Sequence, residues 1–291
     1  MRPIWEAYLC QIDITNACPG SCLYCDRYMR HIRKDQQFFM TVEEVETALD
    51  SLEDWPTQIG IIGGEPTIHP QFTDICKLII KRGLRRKCHL FTMGGPGYDK
   101  NLGLIKEAFF YIALNPHTKQ KKEVCLVQPT TIAIQDVVED AGYRAKLIDE
   151  CWVQRTWCPT IGKKGAFFCE IAYALDTILD GPGGYPAEPG WWKKTPEEFK
   201  DQVDRYCKYC GMPVPTKRES MNGKKEKISP GLFNLFKKHH LPCTSCECVT
   251  LFEDKLSIEQ MEETKKTWDP GNYRQDIRAD MKEGWKRRGA K

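Results

Sequence analysis

Three cysteines near the start of the chain, Cys18, Cys22 and Cys25, have the spacing Cys-x3-Cys-x2-Cys. Three thiolates within eight residues can wrap one corner of a cubane iron–sulfur cluster and leave one iron without a protein ligand. An open coordination position is a site for chemistry, as it is in catalytic zinc centres. The alternative is a structural zinc loop, which normally closes with a fourth Cys or His at short spacing, and the nearest candidate is His31.

A Gly-Gly-Glu-Pro motif at Gly63–Pro66 follows the apolar run Gln58–Ile62, which is predicted to be the second strand of the chain. Two glycines allow another backbone to approach closely, and Glu65 then places a carboxylate at the carboxyl end of a strand. By itself the motif is weak, because a Gly-Gly turn followed by an exposed acid is common. Its position one strand after the cysteine loop makes it informative.

Together, the cysteine loop and Gly63–Pro66 resemble the paired motifs of the radical S-adenosylmethionine (radical SAM) superfamily, over roughly residues 8–150. The resemblance implies an α/β fold, a partial (β/α)6 barrel, whose [4Fe–4S] cluster is held by Cys18, Cys22 and Cys25. S-adenosylmethionine (SAM) would chelate the open iron through its amino and carboxylate groups. The implied reaction is reductive cleavage of SAM to a 5′-deoxyadenosyl radical, which abstracts a substrate hydrogen atom, with an electron donor such as flavodoxin or ferredoxin.

The same resemblance implies further contacts to SAM. The methionine amino group would be held by Gly63, Gly64, Glu65 and Pro66. Tyr24, next to the last cysteine, would lie near the adenine, and Asn115, at the end of the fourth predicted strand, would face the ribose. For Asn115, a turn residue before Pro116 is an equally good interpretation. Because the cofactor carries the bond activation, the protein supplies orientation and exclusion of water.

The second half of the chain holds eight more clustered thiols, which equals the ligand demand of two sites with four thiolates each. They are Cys151, Cys158, Cys169, Cys207, Cys210, Cys243, Cys246 and Cys248. A hairpin that turns at 162–165 would place Cys158 opposite Cys169 on one face, where cross-strand side chains are close neighbours. The pair Cys207 and Cys210 has the Cys-x2-Cys spacing of a metal chelate.

This half resembles the SPASM and twitch extensions of radical SAM enzymes, which hold two or one auxiliary [4Fe–4S] clusters. The residues that carry the resemblance are the cysteines upstream of Gly165, the Gly-x3-Cys run into Cys169, and the later pair Cys207 and Cys210. The chain departs from the SPASM pattern, because no cysteine follows Cys210 at short spacing. Whether Cys151, Cys158 or both complete the first auxiliary site stays open. The group Cys243–Cys248 is left as part of a second cluster, a zinc site or uncommitted.

Short β-rich runs alternate with helical patterns up to about residue 150, which is typical of parallel strands joined by crossover helices. The predicted strands are Tyr8–Thr15, Gln58–Ile62, Lys87–Thr92, Phe110–Leu114, Val124–Val127 and Ala145–Ile148. One predicted helix begins after the N-cap Thr41. Three others span Gln71–Lys81, Leu102–Ala108 and Ile134–Asp140, and the last is closed by Gly142. The active edge is expected at the carboxyl ends of the strands.

The pattern changes after about Cys151, where cysteines, glycines, prolines and tryptophans replace the strand and helix alternation. We therefore predict a radical SAM barrel over 1–150, a cysteine-rich auxiliary cluster domain over 151–266, and a basic tail over 267–291. The length of the chain, 291 residues, suits one large domain with a smaller appendage.

Charge and hydropathy exclude several classes of partner. The chain has 43 Lys and Arg against 40 Asp and Glu, a net charge of +3 that is too small to make nucleic acid or an anionic membrane the main partner. No run of about 18 uncharged apolar residues and no signal peptide are present, so a cytoplasmic protein is expected. A reducing cytosol keeps thiols reduced, which leaves metal as the best use for 15 cysteines.

The expected reaction is oxidation, epimerisation or crosslinking of a small molecule, a sugar or a peptide. The first strand begins near Tyr8, which leaves no room upstream for a peptide-recognition domain and favours a small-molecule or sugar-like substrate. The isolated cysteines Cys10, Cys76, Cys88 and Cys125 are predicted to be buried hydrophobes. An epimerase would need a hydrogen-atom donor, and Cys88 or Cys125 is the hypothesis for it.

The competing interpretation is a non-enzymatic zinc or iron–sulfur module that contacts nucleic acid or a protein partner. Stacking on Trp191 and Trp192, together with the basic tail, would suit single-stranded nucleic acid. Against it stand the small net charge and the Gly63–Pro66 motif, which would then have no purpose. Trp191 and Trp192 are better explained as anchors of the neighbouring Pro/Gly loop.

Overall fold

The computed structural model describes residues 1–115, 126–155 and 159–268. The strands are β1 Leu9–Asp13, β2 Gln58–Ile62, β3 Cys88–Thr92, β4 Tyr111–Leu114, β5 Leu126–Val127, β6 Thr160–Gly162, β7 Gly165–Phe167, β8 Glu219–Ser220, β9 Glu226–Ile228 and β10 Val249–Leu251. The helices are α1 Val42–Ser51, α2 Phe72–Lys81, α3 Pro96–Lys100, α4 Leu102–Ala108, α5 Ile134–Val137, α6 Ala141–Asp149, α7 Glu170–Ile178, α8 Lys200–Tyr206, α9 Pro230–Lys238 and α10 Ile258–Lys265.

The core of the molecule is a six-stranded sheet with the order β4-β3-β2-β1-β6-β7, in which every pairing but β6 with β7 is parallel. Parallel neighbours need crossover connections, and α1, α2 and α4 supply them for β1 to β4. The mixed α/β class and the first four predicted strands are therefore confirmed. β1 is buried along its whole length, as expected for a central parallel strand.

Helices α1 and α2 carry the sequence signals that predicted them. Thr41 and Glu44 form a capping box, in which each side chain accepts a hydrogen bond from the other residue's backbone N–H. The apolar face of α2 is buried, with Phe72 and Ile79 at most 2% exposed. These helices cover the sheet and hold its carboxyl edge in place.

One of the six predicted strands is wrong, and the described part of another lies outside the main sheet. The segment predicted as a strand at Ala145–Ile148 lies within α6, because Asp140 caps that helix by accepting from the Tyr143 N–H at 2.6 Å, and Tyr143 and Leu147 then bury one helical face. Gly142 lies inside α6 rather than ending the helix before it. Of Val124–Val127, the described residues form β5, which pairs with β8 in a separate two-stranded sheet.

The fifth parallel strand of the sheet instead comes from the second half of the chain. β6 pairs in parallel with β1, with Gln11 opposite Thr160, and the β6–β7 hairpin has Ile161 opposite Ala166, the register expected from the glycine turn. The largest cluster of buried hydrophobic side chains also contains residues of both halves. The boundary at 150/151 stays a prediction, and the second half shares the sheet and the core of the first.

The isolated thiols behave as small hydrophobes where the structure describes them. Cys10, Cys76 and Cys88 are fully buried, and burial raises the pKa of Cys76 and of Cys88 to about 12. Cys125 lies outside the described residues. Among the ranges described, no helix is long and apolar enough to cross a membrane.

Candidate functional site

The carboxyl ends of β1 to β4 surround a cavity of about 110 Å³, which we call the first cavity. β1 leads into the cysteine loop, β2 into the glycine motif, and β3 and β4 end at Thr92 and Leu114. Among the residues that line the first cavity are Cys18, Cys22, Cys25, Asp26, Arg27, Gly63, Gly64, Thr92, Met93 and Asn115. The structure thus brings the two sequence motifs to one edge of the sheet.

Gly64 is needed because the cysteine loop passes directly over it. A Cβ atom on Gly64 would lie 2.2 Å from the Ala17 carbonyl oxygen and 2.9 Å from Cys18 Cβ, closer than real contacts allow. The backbones are tied together there, since the Gly64 N–H donates to the Thr15 carbonyl at 2.7 Å and the Glu65 N–H to the Ala17 carbonyl at 2.9 Å. The glycine motif therefore fixes the loop that carries the three thiols.

The donor set around the first cavity suits an iron–sulfur cluster. Its three half-buried thiols are soft ligands, and the Gly20 N–H donates to Cys18 Sγ at 3.3 Å. Burial raises the pKa of Cys25, opposed by hydrogen bonds from the backbone N–H groups of Met29 and Arg27. Such N–H···S bonds stabilise thiolates and their clusters.

Glu65 lies behind the first cavity rather than in its lining. It is 1% exposed, and its Oε1 accepts from the Thr67 N–H at 3.0 Å and from the Thr92 hydroxyl at 2.6 Å. Its Oε2 accepts from the Met93 N–H at 2.7 Å. The carboxylate therefore joins the end of β2 to the end of β3. Pro66 begins the 3-10 turn Pro66–Ile68 that follows.

Tyr24 and Asn115 differ in their positions. The Tyr24 ring is buried beside Leu23 and Val127, and its hydroxyl accepts from the Lys227 N–H at 2.9 Å, so the ring does not line the first cavity. Asn115 does line it, and its N–H donates to the Thr92 carbonyl at 2.8 Å. The positions of Tyr24 near the adenine and of Asn115 at the ribose both stay predictions.

Glu226 supports the cysteine loop from the second half of the chain and was missed from the sequence. Its Oε1 accepts from the Tyr24 N–H at 2.6 Å, and its Oε2 lies 2.9 Å from His31 Nε2. Tyr24 has a φ of 56°, a left-handed conformation that is unusual for a bulky residue. His31 is thereby committed to Glu226 and to the Pro242 carbonyl at 3.0 Å, which argues against its role as a fourth ligand of the loop.

Arg27 is the second functional candidate that the sequence did not reveal. Its buried guanidinium meets Asp13 at 3.2 Å, Asp26 at 3.2 Å and Glu170 at 2.7 Å. Burial alone would lower the pKa of Arg27, but these carboxylates hold it well above the ordinary value. Burial raises the pKa of Asp13 even though Arg27 opposes the shift. The only sequence signal was an acid, Asp13, inside an otherwise apolar strand.

A second group of thiols surrounds a smaller, mostly apolar cavity of about 30 Å³, the second cavity. Its lining includes Cys151, Cys169, Cys207 and Cys210. Cys151 follows α6, Cys169 is the N-cap of α7, and Cys207 begins the 3-10 turn after α8. Three of these four were predicted to share a site, and Cys151 joins them, whereas Cys158 lies outside the described residues.

The thiols of the second cavity perturb one another. Burial raises the pKa of Cys207 well above its usual value, and the nearby Cys169, Cys210 and Cys151 raise it further. Burial likewise raises the pKa of Cys151 to about 12. The Met212 N–H donates to Cys210 Sγ at 3.4 Å. Such thiols are neutral without a metal and lose their protons when one binds.

The last cysteine group, Cys243, Cys246 and Cys248, lies between α9 and β10 and lines neither cavity. Cys246 is exposed. A hydrogen bond from the Ser245 hydroxyl, at 3.6 Å, is the main cause that lowers the pKa of Cys248. Within the described ranges, no three His, Cys, Asp or Glu side chains are placed to hold a single metal ion.

Trp191 and Trp192 anchor a loop instead of offering an exposed stacking surface. They are 5% and 7% exposed. Trp192 packs edge-on against Trp55 with ring centroids 5.5 Å apart, and its Nε1–H donates to the Ser51 carbonyl at 3.2 Å. The basic tail lies outside the described residues apart from 267 and 268. The aromatic half of the nucleic-acid interpretation is therefore wrong.

Comparison with known proteins finds curated relatives and a solved structure that resemble parts of this chain. Two curated relatives, each named GTP 3′,8-cyclase and from Vibrio vulnificus strains YJ016 and CMCP6, are 30% identical over 105 residues. The match covers 35% of this chain and 30% of each relative, so the chain matches under a third of their length. A solved structure described as BtrN in complex with AdoMet and 2-DOIA has 13% identity and a TM-score of 0.44, and the alignment covers 70% of this chain and 88% of that chain.

The model of the radical SAM superfamily matches residues 12–139. This range begins within β1, contains all three thiols of the first cavity and the Gly63–Pro66 motif, and ends between α5 and α6. It thus coincides with the part of the sheet whose carboxyl edge forms the first cavity. The findings therefore support a radical SAM domain over residues 12–139 of this chain.

Proposed function

We propose that this protein is a radical SAM enzyme whose first cavity binds a [4Fe–4S] cluster through Cys18, Cys22 and Cys25, with SAM on the fourth iron. The cluster and SAM would supply one-electron cleavage of the sulfonium and a radical able to take a hydrogen atom from a substrate C–H bond. The observation that carries the proposal is the convergence of three thiols and two glycines on one cavity within the matched domain.

The chain's own groups would act by position. The N–H groups around Cys18 and Cys25 hold the thiolates, and Gly63 and Gly64 let the backbone of the cysteine loop pack closely at the rim of the first cavity. Glu65 would act indirectly, by holding the backbone in place, because its carboxylate already accepts hydrogen bonds from Thr67, Thr92 and Met93. Asn115 stands at the far side, where it would meet the polar end of a nucleoside.

We propose an auxiliary [4Fe–4S] cluster in the second cavity, with Cys151, Cys169, Cys207 and Cys210 as ligands, in the manner of a twitch domain. Four thiolates bound to one zinc ion at about 2.3 Å lie about 3.8 Å apart, so they converge on a point. Thiols that are set around a cavity suit a polynuclear cluster better. The apolar lining supports it too, because burial protects a cluster from water.

With an electron acceptor near the substrate, the reaction class favoured is oxidation of a C–H or alcohol carbon. Epimerisation and crosslinking, of a small molecule, a sugar or a peptide, belong to the same range. Cys88 is poorly placed as a hydrogen-atom donor, since it begins β3 and the cavity lies at the other end of that strand. Five residues of strand span about 13 Å.

The test compares metal content and EPR spectra of anaerobically reconstituted wild type and a variant with alanine at Cys18, Cys22 and Cys25. We expect about eight irons per chain in the wild type, about four in the variant, and an EPR signal that SAM perturbs only in the wild type. In the presence of a reductant, the wild type should release 5′-deoxyadenosine and the variant should not. Stoichiometric zinc and no SAM-sensitive signal would contradict the proposal.

A further inference from the structure

Arg27 lines the first cavity and contacts a residue that adjoins the second. It lines the first cavity, two residues after Cys25. Its Nη2 donates to Glu170 Oε2 at 2.7 Å, and Glu170 directly follows Cys169, a thiol that lines the second cavity. One side chain therefore links the lining of the first cavity to the residue next to a thiol of the second.

All the groups in this contact are withdrawn from water. The side chain of Arg27 is 5% exposed, that of Asp13 2% and that of Glu170 1%, while Asp26 is 15% exposed. Gln11 completes the shell with its amide oxygen on Nη2. Solvent and salt screen such charges poorly, so each acts over a longer range than a surface charge does.

The contact concentrates several buried charged groups beside the first cavity. One guanidinium faces three carboxylates, from Asp13, Asp26 and Glu170. Buried ion pairs contribute little net stability compared with apolar residues of the same size. The arrangement is therefore poorly explained by stability alone, and its position suggests an electrostatic task.

We propose that Arg27 is a positioning residue that sets the reduction potentials of both iron–sulfur centres together, acting through Asp26 on the first and through Glu170 on the second. The inference rests on the proposed function, because it requires a cluster in each cavity. Reduction adds an electron, and a nearby positive charge makes that addition easier, since net charge and hydrogen bonding tune cluster potentials. Removing the guanidinium should make both centres harder to reduce.

The experiment is an EPR-monitored redox titration of both centres in the reconstituted full chain. Arg27→Gln should lower both midpoint potentials. Glu170→Gln and Asp26→Asn each remove one negative charge with little change of shape, and should therefore raise the midpoint potentials. Glu170→Gln should raise that of the second centre most, and Asp26→Asn that of the first. Arg27→Lys keeps the charge and should recover part of the loss.

Arg33→Gln is the matched control, because Arg33 also pairs with two carboxylates, Asp35 and Asp180, but at the surface. It should leave both potentials at wild-type values. If Arg27→Gln fails to fold, the opposite preferences of Glu170→Gln and Asp26→Asn carry the test.

Two failures are distinguishable. A wild type with only one centre overturns the proposed auxiliary cluster, and with it this inference. Two loaded centres that keep their potentials in Arg27→Gln, or of which only one shifts, overturn the role of Arg27 and leave the proposed function standing.

Discussion

The two thiol-lined cavities are built in opposite ways. The first lies at the carboxyl ends of parallel strands, is formed mainly by one loop and the glycines beneath it, and holds about 110 Å³. The second is assembled from residues that follow α6, begin α7 and end α8, and holds about 30 Å³ among mostly apolar side chains. The first has a rim of backbone and polar groups, whereas the lining of the second is apolar.

This difference indicates a division of labour. A second molecule can enter only where the protein leaves space and polar groups, which is the case at the first cavity. The second cavity is smaller and its lining is apolar, so it suits a centre that exchanges electrons better than it suits a substrate. The following predictions test that division.

The largest expected effect comes from alanine at both Cys207 and Cys210. We expect this variant to lose about four irons and to lose product formation, but to keep SAM cleavage, because its first cavity is intact. Iron analysis and 5′-deoxyadenosine release measure the two effects separately. Cys76→Ala, a buried thiol far from both cavities, should leave both unchanged. Loss of SAM cleavage in the double variant would contradict the division.

Gly64→Ala should disrupt the first cavity specifically. The added methyl group must displace the Ala17 carbonyl and Cys18, and such overpacking costs about 1–3 kcal/mol or more. We expect loss of iron at the first centre and a lower free energy of unfolding. Gly103→Ala is the control, because no atom lies within 4 Å of its added Cβ. Gly103 lies in α4, where a change from glycine to alanine should stabilise the helix by roughly 0.5–1 kcal/mol. Equal behaviour of the two variants would refute the steric argument.

Glu65→Gln separates a structural role from a SAM-binding role. A glutamine amide nitrogen would face donors from Thr92 or Met93, and an unsatisfied buried donor costs about 1–3 kcal/mol. We therefore expect the cluster-free protein to be destabilised in denaturant titrations, whereas Glu53→Gln on the surface should change little. If Glu65 only held SAM, the cluster-free variant would be as stable as the wild type.

The smallest effect concerns Asp180, the exposed counterpart of the buried Arg27 contact. Hydrogen bonds from Arg33 lower the pKa of Asp180 to about 2, against an ordinary value of 3.8. The pair therefore stabilises the fold above about pH 4, and that contribution disappears as the pH falls towards 2. Because Asp180 is 52% exposed, we expect less than about 1 kcal/mol. Urea unfolding of the wild type and Asp180→Asn at pH 6 and pH 2.5 should show a clearly larger difference at pH 6.

Features encoded within a few residues could be predicted, and those that depend on distant contacts could not. The first thiol group and the glycine motif are local in sequence and come together as expected. Cys151 could not be distinguished from Cys158, because four scattered segments must fold before a fourth ligand is defined. The strand predicted at Ala145–Ile148 failed because Asp140 caps a helix there.

The charged partners of the first cavity escaped prediction for the same reason. Glu226 and Glu170 are 202 and 143 residues away from Tyr24 and Arg27, the residues they contact. A single glutamate does not identify its distant partner, whether it lies in a polar stretch as Glu226 does or in an apolar run as Glu170 does. Even Glu65, whose motif was recognised, has a role set by Thr92 and Met93, which lie in the next strand of the sheet.

The pairing of β1 with β6 has a consequence for how the chain is made. During synthesis, one edge of β1 must wait for about 150 further residues before its partner emerges, because Gln11 pairs with Thr160. Distant pairings of this kind slow folding, and an unpaired apolar strand edge promotes aggregation. A nascent chain of this protein would therefore need protection by chaperones until the hairpin is released from the ribosome, and a fragment that ends at residue 150 should be prone to precipitate.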